Sequence, residues 1–174
     1  MKVLVVVDMQ NDFIDGALGT PEAQVIVPKV VEKIKEYKKN GDKVIYTADT
    51  HFEDTYTESM EGKKLPVPHC MYLTKGWLIH DDVRMGSQNI VQKYTFGAKS
   101  LPNYIHSNYI HHGVTEIEVV GLCTDICVIS NVMILKAHFP DIKITVDSSC
   151  CAGTSPESHQ RALEAMKMCH IDIV

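Results

Sequence analysis

The fold is decided by the stretch Gly121-Leu122-Cys123-Thr124-Asp125-Ile126-Cys127-Val128. It follows the apolar run Ile117-Glu118-Val119-Val120, which is typical of a strand. It precedes residues 129–136, whose composition is typical of a helix. The stretch therefore predicts a turn from a strand into a helix. Steps of this kind build parallel sheets that are covered by helices.

Cys127 lies in the first turn of that predicted helix, where backbone N–H groups have no partner within the helix. This position favours the thiolate, lowers the thiol pKa and provides donors for an oxyanion. The position of Cys127 therefore indicates a nucleophile. The alternative is that Cys127 is a small buried hydrophobic residue, as most free cysteines are.

Strands and helices alternate along the rest of the chain. The apolar patterns predict strands at 2–8, 43–48, 89–93, 116–121, 142–146 and 171–174. Helical spacing and capping residues predict helices at 22–40, 101–111, 125–138 and 155–168. Residues 50–77 are mixed in character. The alternation predicts an α/β fold, in which a parallel sheet has helices on both faces.

Length and composition indicate one domain over residues 1–174. The net charge of −5 is spread along the chain, so nucleic acid and anionic membranes are not expected partners. The first residues lack the pattern of a signal peptide, and no apolar run reaches the length of a membrane span. The six cysteines are therefore expected to be reduced thiols, in a cytoplasmic protein.

Ionisable or reactive residues follow several predicted strands: Asp8, Asp49, Lys93 and Cys127. In parallel α/β folds the carboxyl ends of the strands face one crevice, so these groups are expected to meet. Asp8 is costly to bury without a partner, and Lys93 is the candidate partner. The pair is either a structural salt bridge or part of an Asp–Lys–Cys triad in which Asp8 takes the thiol proton.

A second group of residues has the chemistry of metal ligands. Asp49 and His51 are two residues apart, so in an extended segment their side chains point to the same side. His69 lies at the far end of the irregular segment. Imidazoles with a carboxylate suit zinc, manganese or iron with open positions. The alternative is that these histidines are exposed loop residues without a ligand.

These motifs together resemble the isochorismatase-like cysteine hydrolases, and most of all their nicotinamidase branch. The resemblance rests on residues that occur in order along the chain: Asp8 to Phe13, Asp49 to His51, Pro68 to Cys70, Lys93, and Gly121 to Val128. It implies a three-layer αβα fold with a six-stranded parallel sheet of Rossmann-like topology. It also implies an amidase. True isochorismatases lack the cysteine nucleophile, so the presence of Cys127 argues against that activity.

The resemblance assigns roles to the triad. Asp8 is expected to be the proton shuttle, Lys93 its partner and Cys127 the nucleophile. The backbone N–H groups of Cys123 and Cys127 are expected to form the oxyanion hole. A cis peptide bond is implied between Leu122 and Cys123.

The resemblance also assigns Asp49, His51 and His69 as metal ligands, with the metal placing the pyridine nitrogen of the substrate. Many nicotinamidases have a further ligand between the two histidines. Residues 52–68 contain no other histidine, so Glu58 or Glu61 is the expected fourth ligand.

Four residues are expected to form the substrate pocket: Phe13, Leu18, Trp77 and Tyr94. Aromatic side chains can stack on a planar ring, although ordinary core packing would explain the same residues.

The resulting expectation is a nicotinamidase, which converts nicotinamide to nicotinate and ammonia. A second hypothesis is a hydrolase of another small amide or carbamoyl compound. A third, from a different class, is a redox sensor that uses Cys127 with Cys123 as its resolving partner. The expected partner is a small amide substrate, and the resemblance adds a homo-oligomer.

Overall fold

The molecule is built around one sheet of six parallel strands. In the computed structural model, which describes all residues from Met1 to Val174, the strands are β1 (Lys2–Val7), β2 (Lys43–Asp49), β3 (Ile90–Lys93), β4 (Glu116–Leu122), β5 (Lys143–Ala152) and β6 (Asp172–Ile173). Their order in the sheet is β3-β2-β1-β4-β5-β6, and every neighbouring pair is parallel. The predicted six-stranded parallel sheet is therefore confirmed.

Helices cover the sheet on both faces. They are α1 (Asn11–Ile14), α2 (Pro21–Lys39), α3 (Met60–Lys64), α4 (Asp81–Arg84), α5 (Leu101–Tyr109), α6 (Ile129–His138) and α7 (Pro156–Met168). Contacts between helices form two groups, in which α1 and α4 pack against α2, and α5 and α7 pack against α6. This division gives the predicted three-layer αβα architecture. None of these helices has both the length and the apolar character needed to cross a membrane.

Strand β1 forms the centre of the core. It pairs with β2 on one side and β4 on the other, and Val3 to Val7 are fully buried. A strand that is covered on both faces needs apolar side chains in both directions, which explains the uninterrupted apolar run.

Strand β5 is longer than predicted. The strand was predicted to end at residue 146, but it continues through the polar residues Asp147, Ser148 and Ser149 to Ala152. These side chains have partners, because Asp147 pairs with Lys33 at 2.8 Å and Ser148 donates to the carbonyl of Val174 at 2.8 Å. Their polarity therefore does not end the strand.

The helix predicted at 125–138 begins with a different geometry. Residues Thr124–Val128 form a π-helical turn, and only then does α6 begin. The amide N–H of Val128 donates to the carbonyl of Cys123 at 3.0 Å, which is the i to i+5 spacing of a π turn. Wide turns of this kind occur mainly at functional sites.

The sheet order places a crevice next to β1. The chain runs outward from β1 to β2 and β3 on one side, and from β4 to β5 and β6 on the other. The connections at the carboxyl ends of β1 and β4 therefore diverge, and a ligand crevice is expected where they separate. Asp8 follows β1 and Cys127 follows β4 at this edge.

Candidate active site

Lys93 lies at the centre of a buried group of charges. It ends β3 and is in register with Asp49, which ends the neighbouring strand β2. Its Nζ lies 2.7 Å from Oδ2 of Asp8 and 3.0 Å from Oδ1 of Asp49. All three side chains are at most 2% exposed. The ends of β1, β2 and β3 thus bring the predicted pair Asp8 and Lys93 together, and add Asp49 to it.

The carboxylate of Asp8 is held by its surroundings. Its backbone is in the left-handed region with φ +46°, a conformation that non-glycine residues rarely adopt outside sites that require it. The hydroxyl of Thr47 donates to Oδ1 of Asp8 at 2.6 Å and accepts from the Asp8 amide at 3.2 Å. One carboxylate oxygen therefore contacts Thr47 and the other contacts Lys93, which fixes the direction of the acid.

Cys127 reaches the same group from β4. Its Sγ lies 3.5 Å from Nζ of Lys93, and the residue is 4% exposed. At the beginning of the turn, Gly121 has φ +118°, and a Cβ there would lie 2.1 Å from the carbonyl oxygen of Val7. Only glycine fits this approach of β4 to β1. The peptide bond between Leu122 and Cys123 is cis, as the family resemblance implied.

The acidity of Cys127 differs from the expectation drawn from its position. Burial raises the pKa of the thiol well above its ordinary value, the negative charge of Asp8 raises it further, and Lys93 lowers it only in part. Burial also raises the pKa of Asp8, against the lowering effect of Lys93. This direction is opposite to the lowered thiol pKa expected from the position of Cys127, because burial and the charge of Asp8 both favour the neutral thiol. A base is needed to ionise this thiol, and Asp8 is the nearby candidate.

A second group of side chains has the arrangement of a metal centre. The ligand atoms of Asp49, His51, Glu61 and His69 all lie within 4.8 Å of one another. Nε2 of His51 lies 3.2 Å from Oδ2 of Asp49, and Nε2 of His69 lies 3.5 Å from Oε1 of Glu61. Two imidazoles and two carboxylates in a buried position fit a divalent transition metal.

The structure distinguishes between the two glutamates proposed as the fourth ligand. Glu61 belongs to the group and Glu58 does not. Ser59 caps α3 by accepting from the amide of Gly62 at 2.9 Å, and the buried Gly62 packs against the carbonyl of Tyr56. These contacts hold helix α3 against the turn at Tyr56, and Glu61 on this helix lies close to His51 and His69. Sequence spacing alone could not reveal this short helix.

Local contacts determine the protonation of individual ligand atoms in this group. Nδ1 of His69 lies 2.8 Å from the carbonyl oxygen of Val67, so it carries the proton and leaves Nε2 as the ligand atom. Burial by itself would raise the pKa of Asp49, but the hydrogen bond with His51 and the charge of Lys93 hold it below the ordinary value. Asp49 is therefore ionised, as a ligand must be.

The two groups open onto one cavity of about 470 Å³. Its wall contains members of both groups, apolar side chains and a few polar ones: Phe13, Leu18, Thr20, Asp49, Glu61, Lys64, Leu65, His69, Phe96, Cys123, Ile126, Cys127 and Thr154. A cavity of this size, mainly apolar with few polar groups, suits a small organic ligand.

Two of the four residues predicted for the substrate pocket lie in the wall of this cavity. Phe13 and Leu18 line the cavity, whereas Trp77 and Tyr94 do not. The indole of Trp77 donates to Thr50 at 2.9 Å and packs against Tyr72, while Tyr94 is 64% exposed. Their place in the wall is taken by residues that include Phe96 and Ile126. Ile126 could have been identified from its position beside Cys127, but no sequence signal distinguishes Phe96 from Tyr94.

Comparison with known proteins gives a family and several relatives. The model of the isochorismatase domain matches residues 2–173. The nicotinamidase of Schizosaccharomyces pombe is 24% identical, over 98% of this chain and 91% of the relative. The crystal structure of the pyrazinamidase of Pyrococcus horikoshii in complex with zinc has a TM-score of 0.84 and 29% identity, over 99% of this chain and 98% of the other.

A further solved structure belongs to an amidase of a different kind. The N-carbamoylsarcosine amidase of Thermoplasma acidophilum has a TM-score of 0.80 and 25% identity, over 99% of this chain and 94% of the other. The family match covers all six strands and every member of the two groups that line the cavity. The chain therefore belongs to the isochorismatase family.

Proposed function

We propose that the protein is a nicotinamidase, which hydrolyses nicotinamide to nicotinate and ammonia. The observation that carries the proposal is a single cavity whose wall contains the Cys127 thiol, which contacts the buried Asp8–Lys93 pair through Lys93, and three of the four residues of the metal-ligand group. The nicotinamidase and pyrazinamidase relatives support a hydrolase that acts on amide C–N bonds. The family membership and the cavity chemistry thus point to the same reaction.

In the proposed first step, Asp8 accepts the proton of the Cys127 thiol. The thiolate attacks the carboxamide carbon, and a C–S bond forms while the carbonyl π electrons move to oxygen. Lys93 contacts both groups, so it stabilises the thiolate as it forms and keeps the acid in place. The backbone N–H groups of Cys123 and Cys127 are the proposed donors to the tetrahedral oxyanion.

Asp8 then gives its proton to the departing nitrogen, the C–N bond breaks and ammonia leaves. The acyl group remains on Cys127 as a thioester. Asp8 next accepts a proton from a water molecule, which attacks the thioester carbon and breaks the C–S bond. Asp8 returns its proton to the Cys127 sulfur, and the carboxylic acid product gives its own proton to ammonia or solvent and leaves as nicotinate.

The group Asp49, His51, Glu61 and His69 is proposed to hold zinc, manganese or iron. When bound, such a metal supplies a coordination position for the pyridine nitrogen, which orients the ring. The zinc complex of the pyrazinamidase relative supports the proposal that this protein binds a metal. Asp49 contacts Lys93 at 3.0 Å, so the same carboxylate belongs to the ligand group and to the charged group around the thiol.

A second candidate function is hydrolysis of another small amide or carbamoyl compound. The likeness to the N-carbamoylsarcosine amidase favours it, as do the polar residues Thr20, Lys64 and Thr154 in the cavity wall. The redox-sensor hypothesis receives less support, because sensor thiols need a low pKa. Burial raises the pKa of Cys127, and it raises the pKa of Cys123 to about 12.

The proposal also covers the cellular location and the oligomeric state of the protein. All six cysteines are free, which supports the expectation of a cytoplasmic location. The expected homo-oligomer stays a prediction.

The direct experiment is product analysis. Purified protein, loaded in turn with zinc, manganese or iron, is incubated with nicotinamide and separately with N-carbamoylsarcosine. We expect nicotinate and ammonia in equal amounts from nicotinamide, and a far lower turnover of the carbamoyl compound. Turnover of the carbamoyl compound alone would replace the first candidate with the second.

A further inference from the structure

Asn131 is a fully buried polar residue that the proposed mechanism does not use. It lies on α6, one turn after Cys127, and its side chain is 0% exposed. Its Nδ2 donates to the carbonyl oxygen of Cys127 at 2.8 Å and to that of Phe96 at 3.2 Å. Its Oδ1 accepts from the amide of Ala98 at 2.9 Å. The buried amide thus makes three hydrogen bonds, all to backbone atoms.

These partners leave only one orientation for the amide. Two of them are carbonyl oxygens, which can only accept, and one is an N–H group, which can only donate. A flipped amide would face each partner with the wrong atom. Losing such a side chain leaves buried backbone groups unsatisfied, which destabilises the surrounding structure. The orientation of Asn131 is therefore determined by its surroundings.

The three bonds join two parts of the cavity wall. One part is the turn that carries Cys127. The other is the segment from Phe96 to Ala98, which follows β3 and therefore follows Lys93. This segment lies directly against α6, since a Cβ at Gly97 would lie 2.4 Å from Cδ1 of Ile134. Asn131 thereby links the nucleophile to the segment that presents Phe96.

We propose that Asn131 is a positioning residue that aligns Cys127 with the Lys93 side of the site and sets the Phe96 wall of the cavity. The inference rests on the proposed function, because it assigns Phe96 a part in holding the substrate. A residue with this role affects turnover through the position of Sγ and affects substrate binding through the position of Phe96. A residue that only stabilises the fold affects neither in the folded protein.

The test compares two variants of Asn131 with a matched control. Asn131→Leu is close in size and removes all three bonds. Asn131→Ser keeps a hydroxyl that can donate to the carbonyl four residues earlier, as Ser130 does to Ile126 at 2.6 Å, but it is too short for Phe96 and Ala98. Val132→Ala is the control, because Val132 is fully buried beside Asn131 and contributes no hydrogen bond from its side chain.

Steady-state ammonia release gives kcat and KM for each variant. We expect Asn131→Leu to lower kcat about tenfold or more and to raise KM, because small displacements of reacting groups are costly. Asn131→Ser should recover most of kcat while KM stays raised. Val132→Ala should lower the Tm and leave both constants close to those of the wild type.

If both Asn131 variants behave like Val132→Ala, the inference is overturned. Should Asn131→Leu fail to fold, KM of Asn131→Ser decides in the same way.

A readout without substrate separates this inference from the proposed function. The rate at which iodoacetamide alkylates Cys127 is followed by peptide mass spectrometry. The rate should fall several-fold in Asn131→Leu, since a displaced thiol is out of line with Asp8, which accepts its proton, and with Lys93, which stabilises the thiolate, and it should recover in Asn131→Ser. An unchanged rate would contradict the positioning role even if nicotinamide proved not to be the substrate. A wild-type protein without nicotinamidase activity, but with the expected alkylation pattern, would reject only the proposed function.

Discussion

Lys93 is the residue that joins the two groups of the site. Its ammonium has three N–H donors, and it has three partners, which are Asp8, Asp49 and the sulfur of Cys127. Burial by itself would lower the pKa of Lys93, but the charges of these partners hold it above the ordinary value. Lys93 is therefore charged throughout the physiological range, and it offsets the negative charges that a buried acid and a thiolate would bring.

Asp8 is the residue whose loss should affect chemistry most specifically. Asp8→Asn keeps the shape of the side chain but removes the base, so we expect kcat to fall about 100-fold or more. Thr47→Val is the comparison, because it removes the two hydrogen bonds that the Thr47 hydroxyl makes with Asp8, at 2.6 and 3.2 Å, but keeps the carboxylate, and it should cause a much smaller loss. Ammonia release at saturating nicotinamide measures both. Equal losses in the two variants would show that Asp8 is not the proton carrier.

The choice of Glu61 as metal ligand is tested by a pair of neighbouring glutamates. Glu61→Gln should weaken metal binding, because a neutral amide oxygen replaces a carboxylate ligand, whereas Glu58→Gln should leave it unchanged. Metal content after dialysis against a chelator of graded strength gives the order of affinities. Retention of metal by Glu61→Gln at the wild-type level would remove Glu61 from the ligand group.

At the scale of elements, polar side chains explain why the bounds of some strands and helices were predicted correctly and those of others were not. The buried strand β1 was readable because it has no polar residue before Asp8. Strand β5 was predicted too short because the partners of Asp147 and Ser148 lie far away in the sequence. Helix α3 was missed because five residues within a polar segment carry no periodic pattern. Tertiary partners, which the sequence does not display, decide such cases.

Glu116 connects three strands at the amino-terminal side of the sheet. It lies at the beginning of β4 and contacts Lys2 of β1 at 2.8 Å and Lys143 of β5 at 3.3 Å. Its side chain is partly buried, but burial is outweighed by these lysines and Thr145, which lower the pKa of Glu116 to about 2. A folded-state pKa below the ordinary value means that the ionised form stabilises the fold.

This contribution should therefore be complete above the ordinary glutamate pKa of 4.5 and should disappear as the pH falls towards 2. Glu116→Gln should lower the free energy of unfolding by about 1 kcal/mol at pH 7, since both lysines are half exposed. The deficit should shrink between pH 4.5 and the acid limit of folding. Urea unfolding at a series of pH values measures it, with Asp172→Asn as a control because Asp172 is exposed and 3.8 Å from Lys143. A deficit that is independent of pH would contradict this assignment.

At the scale of the whole molecule, the site results from the order of the strands. Because all six strands are parallel and β1 lies between β2 and β4, residues that are far apart in sequence end at one edge of the sheet. This rule made Asp8, Asp49, Lys93 and Cys127 predictable as neighbours. The cavity wall was less predictable, because Phe96, Leu65 and Glu61 come from loops and a short helix whose paths depend on tertiary contacts.

The pKa of the Cys127 thiol also depends on the fold of the whole molecule. The local position in a first helical turn predicts a lowered pKa, but the whole fold buries the thiol beside Asp8 and raises it. The fold therefore favours the neutral thiol, which is consistent with the proposed transfer of its proton to Asp8. Of the six cysteines, Cys127 is the one on which activity is expected to depend.

The central measurement is ammonia release from nicotinamide by the metal-loaded protein and two cysteine variants. Cys127→Ala removes the proposed nucleophile, while Cys123→Ala removes the neighbouring thiol and keeps the backbone N–H. We expect rapid release by the wild type, a reduced but clear release by Cys123→Ala, and none above background by Cys127→Ala with the fold and metal content intact. Substantial release by Cys127→Ala would contradict the account.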